Sequence, residues 1–129
     1  MFHPIHTPED IQTFLEATNE LHDGYIVSVQ YTHSGISKIE SGHYYFEPDK
    51  TKLTLRILVT SIWDATVEIE FEGLFAWQIR NDERDDILAT TLCLHGDTIV
   101  WTDDPYTDAQ DMKKSSYVIA SSMKWRFIE

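Results

Sequence analysis

One cysteine, five glycines and four prolines are all that these 129 residues hold of the types that staple, loosen or break a chain. With Cys93 alone, no intrachain disulfide can form, so nothing depends on an oxidising compartment. Its setting, Leu92-Cys93-Leu94, suits a buried small residue better than a reactive thiol. The glycines fall in neither a GxGxxG nor a GxxxxGK spacing, so no phosphate-cradling loop is encoded. A GxSxG elbow, an HExxH helix and paired Cys/His spacings are also missing, and no cofactor is expected. No apolar run reaches the length of a membrane span. Met1-Phe2-His3-Pro4-Ile5-His6 lacks the basic start and apolar stretch of a secretory signal, so a cytoplasmic protein is expected.

Positive charge is scarce too. Ten Lys and Arg stand against 22 Asp and Glu, a net charge of −12. Residues 1–60 carry eight acids and four bases, and residues 61–129 carry fourteen and six, so the imbalance grows from −4 to −8 along the chain. Such a surface repels nucleic acid and anionic membranes. It steers a basic protein inward, although the same charge also serves plain solubility.

What is present is apolar and aromatic. A hydrophobic content of 42%, with four Trp, six Tyr and six Phe, argues for one folded domain over residues 1–129. Thr7-Pro8-Glu9-Asp10 reads as a capped helix start, and Ile11, Phe14, Leu15 and Leu21 follow at helical spacing, so a helix is predicted over about 8–20 with Gly24 as its stop. Thereafter the period is two. Strands are predicted at 25–32, 43–47, 53–59, 65–72, 75–79, 87–94, 98–102 and 117–127, with a hairpin turn at His95-Gly96-Asp97. This defines an α+β, mainly β fold: an N-terminal helix followed by a seven- to eight-stranded antiparallel sandwich or partial barrel.

The most informative stretch is 63–72. Trp63, Ala65, Val67, Ile69 and Phe71 alternate with Asp64, Thr66, Glu68, Glu70 and Glu72, which predicts a strand with an apolar inner row and a ladder of carboxylates outside. Same-face residues lie roughly 6.8 Å apart, so the ladder does not converge on a metal. Two readings stand. In one, 52–59 and 65–72 form a hairpin whose paired residues sum to about 124, placing Lys52 opposite Glu72 and Arg56 opposite Glu68; a two-residue slip keeps the same faces and sets Arg56 opposite Glu70, and one glutamate, Glu70 in the first register, is left without a basic partner. In the other, Glu68, Glu70 and Glu72 bind a basic partner together with Asp103 and Asp104, with Trp101 and Tyr106 as aromatic anchors.

Leu21-His22-Asp23-Gly24 marks the passage from helix to first strand. An adjacent His22–Asp23 pair serves a helix-ending turn, and it also has the chemistry of a general base or metal ligand. A spatial cluster of His22, His43 and His95 with Asp23 or Asp97 would complete a metal or hydrolytic site. His3 and His6 fall in an expected loose terminus, and Asp82-Glu83-Arg84-Asp85-Asp86 in a solvated turn.

The order of helix, Leu-His-Asp turn, β-meander, Trp-x-Asp and a terminal strand ending in Trp resembles a loose group of small bacterial proteins. These include immunity proteins of polymorphic-toxin systems. The matching residues are His22, Asp23, Trp101, Asp103 and Trp125, while Gly24 stands where many of that group carry Ser or Cys. The resemblance implies a non-enzymatic, protective binding protein. Three functions therefore leave the sequence open: a module whose acidic surface binds a basic protein such as a toxin domain, a small metal-binding protein or hydrolase using His22 and Asp23, and a self-associating subunit such as a homodimer.

Overall fold

The computed structural model describes residues 1–38, 42–46, 50–80, 86–104 and 115–128. The one α-helix among the described residues, α1 (Pro8–Ala17), begins where the sequence places it. The Thr7 hydroxyl accepts the Asp10 amide at 3.2 Å, and the Asp10 carboxylate accepts the Thr7 amide at 3.0 Å, closing a reciprocal cap. The backbone amide of His6, with that of Thr7, holds the Asp10 carboxyl below its ordinary range. The other end differs from the prediction. The helix stops at Ala17, and Asn19, Glu20 and Leu21 form a short 3-10 turn in the left-handed region, with φ of 53°, 57° and 56°. Asp23 is left-handed as well, at φ 58°. Gly24 does not supply that conformation; it supplies space, since a Cβ there would stand 2.7 Å from the Leu21 carbonyl oxygen.

Ten strands follow the sequence: β1 (His3–Pro4), β2 (Gly24–His33), β3 (Ile36–Lys38), β4 (Tyr44–Phe46), β5 (Thr51–Val59), β6 (Ala65–Gln78), β7 (Asp86–Ile87), β8 (Thr91–His95), β9 (Thr98–Thr102) and β10 (Tyr117–Ile128). Eight of them make one antiparallel sheet in the order β7-β2-β5-β6-β10-β9-β8, with β1 added to β10, and the sheet curls into a half-barrel. β3 and β4 form a separate hairpin. The architecture is the α+β, mainly β class expected. The terminus expected to be loose is tied down: His3 pairs with Trp125, the Ile5 amide bonds the Met123 carbonyl at 3.0 Å, and Ile5 is buried.

The core lies on one face of the sheet. Leu53, Leu55, Ile57 and Val59 of β5 and Val67, Ile69 and Phe71 of β6 are fully buried, in the alternation read from the sequence. Phe14 of α1 closes over this face, edge-on to Trp125 at 5.3 Å between ring centres. Gly73 does not end its strand as predicted. β6 runs through it at φ +67°, where a Cβ would strike the Ser121 hydroxyl, and Phe75 is an extra residue without an opposite number on β10. The buried row changes parity there, from Phe71 to Leu74 on β6 and from Met123 to Ala120 on β10. Val118 and Ala120 are therefore buried, while Tyr117 and Ile119 between them are half-buried.

Candidate functional site

The carboxylate ladder exists, and it is already occupied. Of the two hairpin registers the sequence allows, the structure has the one that sets Lys52 opposite Glu72 and Arg56 opposite Glu68. The prediction missed the third strand: β10 places Lys124 opposite Glu70 and Arg126 opposite Glu68. Glu68 is gripped from both sides, by Arg56 Nε at 3.0 Å and by Arg126 Nη2 at 2.8 Å. Glu70, expected to lack a cation, pairs with Lys52 and with Lys124, the latter at 3.5 Å. Burial pushes the Glu70 carboxyl up, but the Lys52 hydrogen bond and the charges of Lys52 and Lys124 outweigh it, and the pKa falls below the ordinary value. Phe2 lies over this layer, its ring centre 4.3 Å from the Arg126 guanidinium. Glu68 and Glu70 are only 4% and 7% exposed, so neither presents a carboxylate to a partner. Glu72 remains exposed, with Lys124 at 3.8 Å.

The proposed loop anchors divide as well. Trp101 is fully buried against Phe71, at 6.2 Å between ring centres, and anchors the core instead of a partner. Its indole Nε1 finds no acceptor among the described residues. Asp103 fastens the base of the following loop: it accepts the Ser116 amide at 3.0 Å, and its own amide bonds the Ser116 carbonyl at 3.1 Å. Desolvation by burial raises the Asp103 pKa, against the pull of those hydrogen bonds. Asp104 is half-buried and receives the Thr91 hydroxyl on its backbone oxygen at 2.7 Å. Tyr106 lies outside the described residues, as do the turn at 47–49 and residues 82–85. Cys93 is half-buried, less enclosed than expected.

His22 and Asp23 sit in the turn before β2, and three segments are sewn together around them. The Ser61 hydroxyl donates to the His22 carbonyl at 2.6 Å and accepts from Asn19 Nδ2 at 3.2 Å. The Asp23 carbonyl receives the Thr60 hydroxyl at 2.9 Å, and the Asp23 amide donates to the Ile87 carbonyl at 2.8 Å. The Thr90 amide donates to the Glu20 carbonyl at 2.9 Å. His22 Nδ1 stands 2.5 Å from the Leu88 carbonyl oxygen. A carbonyl only accepts, so that nitrogen carries the proton, and Nε2 faces Asp23 Oδ1 at 3.6 Å. Ser61 spends its proton on backbone and offers the imidazole no nucleophile. Among the described residues no three of His, Cys, Asp and Glu converge, so the cluster of His22, His43 and His95 with Asp23 or Asp97 is not assembled.

At the head of this corner stands Trp63. The sequence pattern counted it with the inner row, but β6 begins only at Ala65, and Trp63 is 99% exposed. It and Asp64 are both left-handed, at φ 62° and 57°, completing the five-residue connection from β5 to β6. A bulky residue rarely adopts this conformation, and Gly, Asn or Asp would hold it at lower cost. The three cross-bonded segments of this corner also carry the exposed carboxylates of Glu20 and Asp64, the half-exposed Asp23, and Leu88, 52% exposed. Residues 18–24, 59–65 and 86–90 contain no Lys or Arg. A solvated indole on a cross-bonded corner that carries carboxylates and no Lys or Arg has the chemistry to receive a cationic group. Its one sequence signal was an apolar residue at the end of an alternating row, which is indistinguishable from core.

Comparison with protein-family models, with curated proteins and with solved structures returned no match. The functional reading therefore rests on the chain's own geometry.

Proposed function

We propose that the chain is a non-enzymatic binding module for a basic protein, and that it binds through the corner built by residues 18–24, 59–65 and 86–90. The observation that carries this reading is Trp63, held in open water in a left-handed turn. Packing does not account for a tryptophan there, and glycine would suit the backbone better. Aromatic anchors beside carboxylates recognise Lys and Arg through ring-face attraction and charge together. The net charge of −12 adds long-range steering. Immunity to a basic toxin domain is the form of this function that the sequence resemblance favours. The corner is preferred to the ladder and loop because Glu68, Glu70 and Trp101 are buried.

Trp63 is also a built-in probe: it is the most exposed of the four tryptophans, ahead of Trp77 at 36%, and the emission lost in Trp63→Ala is its own. Immobilised wild-type chain, Trp63→Ala and the pair Asp23→Lys with Asp64→Lys would be offered the same bacterial extract and the captured proteins identified. A basic protein retained by wild type and lost by both variants, whose addition shifts Trp63 emission, is the expected result. Equal capture by all three, or capture of acidic proteins alone, overturns the reading.

A further inference from the structure

We propose that two copies of this chain pair through β2, edge to edge and antiparallel. Among the described residues β2 has a neighbour on its outer side only at its start, where Gly24 meets Ile87 and Tyr25 meets Asp86. From Ile26 to Thr32 no described strand pairs with that side. An open edge of this length is a template for another strand unless it is protected by charge, proline or distortion. The ten residues of β2 include no Lys, Arg, Asp, Glu or Pro, in a chain that is one-quarter charged. Its one irregularity is a bulge between Ile26 and Ser28, which leaves Ser28–Thr32 regular against β5.

The side chains along the edge are unfinished core. Val29 and Tyr31 lie opposite Leu55 and Leu53, which are fully buried, yet both are more than two-fifths exposed. Tyr31 stacks on the half-exposed Trp77 at 5.5 Å. An added strand would continue the buried row outward by one position.

Charge selects a second copy as that strand. Asp23 and Asp86 flank the start of β2. Lys50 stands at its end, since the Ser34 hydroxyl bonds the Lys50 carbonyl at 3.3 Å. An antiparallel partner brings start against end, so a twofold axis near Val29 sets the acids of each copy beside Lys50 of the other. The contact is self-complementary, as an isologous interface requires. A generic basic strand would match one end and meet Lys50 at the other.

Analytical ultracentrifugation of the full chain across a wide concentration range tests this. Wild type is expected to sediment as a reversible dimer, and Val29→Lys as a monomer with an unchanged circular dichroism spectrum. Lys50→Glu alone and Asp86→Lys alone should each weaken the dimer about tenfold, and the two together should restore it. Hydrogen exchange of the wild type gives a variant-free reading: between Val27 and Thr32, every second amide, those turned away from β5, gains protection as concentration rises. A monomer at every concentration, a dimer indifferent to Val29→Lys, or protection of those amides in the monomer overturns the proposal. Trp63→Ala leaves the dimer intact, so its outcome is separable from that of the corner.

Discussion

Glu68 offers the sharpest test of whether the acidic ladder is architecture. Its side chain is 6% exposed, whereas those of Arg56 and Arg126 are 52% and 40% exposed. Removing one arginine, by Arg56→Met or Arg126→Met, leaves the carboxylate with a good partner and returns half-solvated surface to water. Between the 0–1 kcal/mol of surface pairs and the 1.5–3 of charge-assisted hydrogen bonds, each single change should cost about 1 kcal/mol. Removing both strands a buried carboxylate, which costs about 3–5 kcal/mol. The double variant should therefore exceed the sum of the singles by about 1–3 kcal/mol. Unfolding entropy of roughly 2.1 cal/mol/K per residue makes 1 kcal/mol worth about 4 °C in a chain of 129 residues. The double variant should melt about 11–18 °C below wild type. Adding Glu68→Met to the double variant should recover most of the loss, since the lone charge is then gone. Urea denaturation of the four variants measures all of this. Additivity within about 0.5 kcal/mol, or a triple variant no better than the double, would show that Glu68 does not depend on its arginines.

Trp63→Gly should raise stability by about 1 kcal/mol while abolishing partner capture, because glycine enters the left-handed region freely; thermal melting and the capture assay read the two effects separately. Trp101→Ala should cost about 3–5 kcal/mol, and Trp101→Phe much less, because losing ring area is partly offset by removing a buried N–H with no acceptor among the described residues; neither should alter capture. The Glu70 pKa lies below 4.5, so its share of stability is present above that pH and is lost as pH falls through the folded value; Glu70→Gln should flatten the acid limb of a stability-against-pH curve. Lys52, raised above 10.5 first by its hydrogen bond to Glu70, loses its share as pH climbs through the folded value, so the same variant should also flatten the alkaline limb.

The inner row of the sheet was legible because burial imposes a period of two, and β5 and β6 obey it without interruption from Leu53 to Val59 and from Val67 to Phe71. The hairpin register was legible to within a two-residue slip because a short connection leaves few ways to pair Lys52, Arg56, Glu68 and Glu72. What escaped was nonlocal or conformational. Lys124 and Arg126 stand more than fifty residues from the glutamates they neutralise, and nothing local to β6 announces them. The parity switch at Gly73 depends on an extra residue, Phe75, which an alternation count cannot place.

The same argument explains why Glu68 and Glu70, which alternation turns away from the core, are nonetheless buried. Alternation identifies which side chains leave the core, but a charge that leaves the core on a central strand meets the long side chains of both neighbours. Glu68 and Glu70 sit on such a strand, so their row could become a salt-bridged layer and did. Residues at a strand connection have no flanking strand to neutralise or cover them. Asp64, Asp23 and Glu20 belong to connections, and so does Trp63. In an acidic β-sheet protein the carboxylates available to a partner are therefore to be sought at the turns first. Trp63 marks which turn, because its solvated indole is the one large apolar group there that the fold leaves almost wholly uncovered.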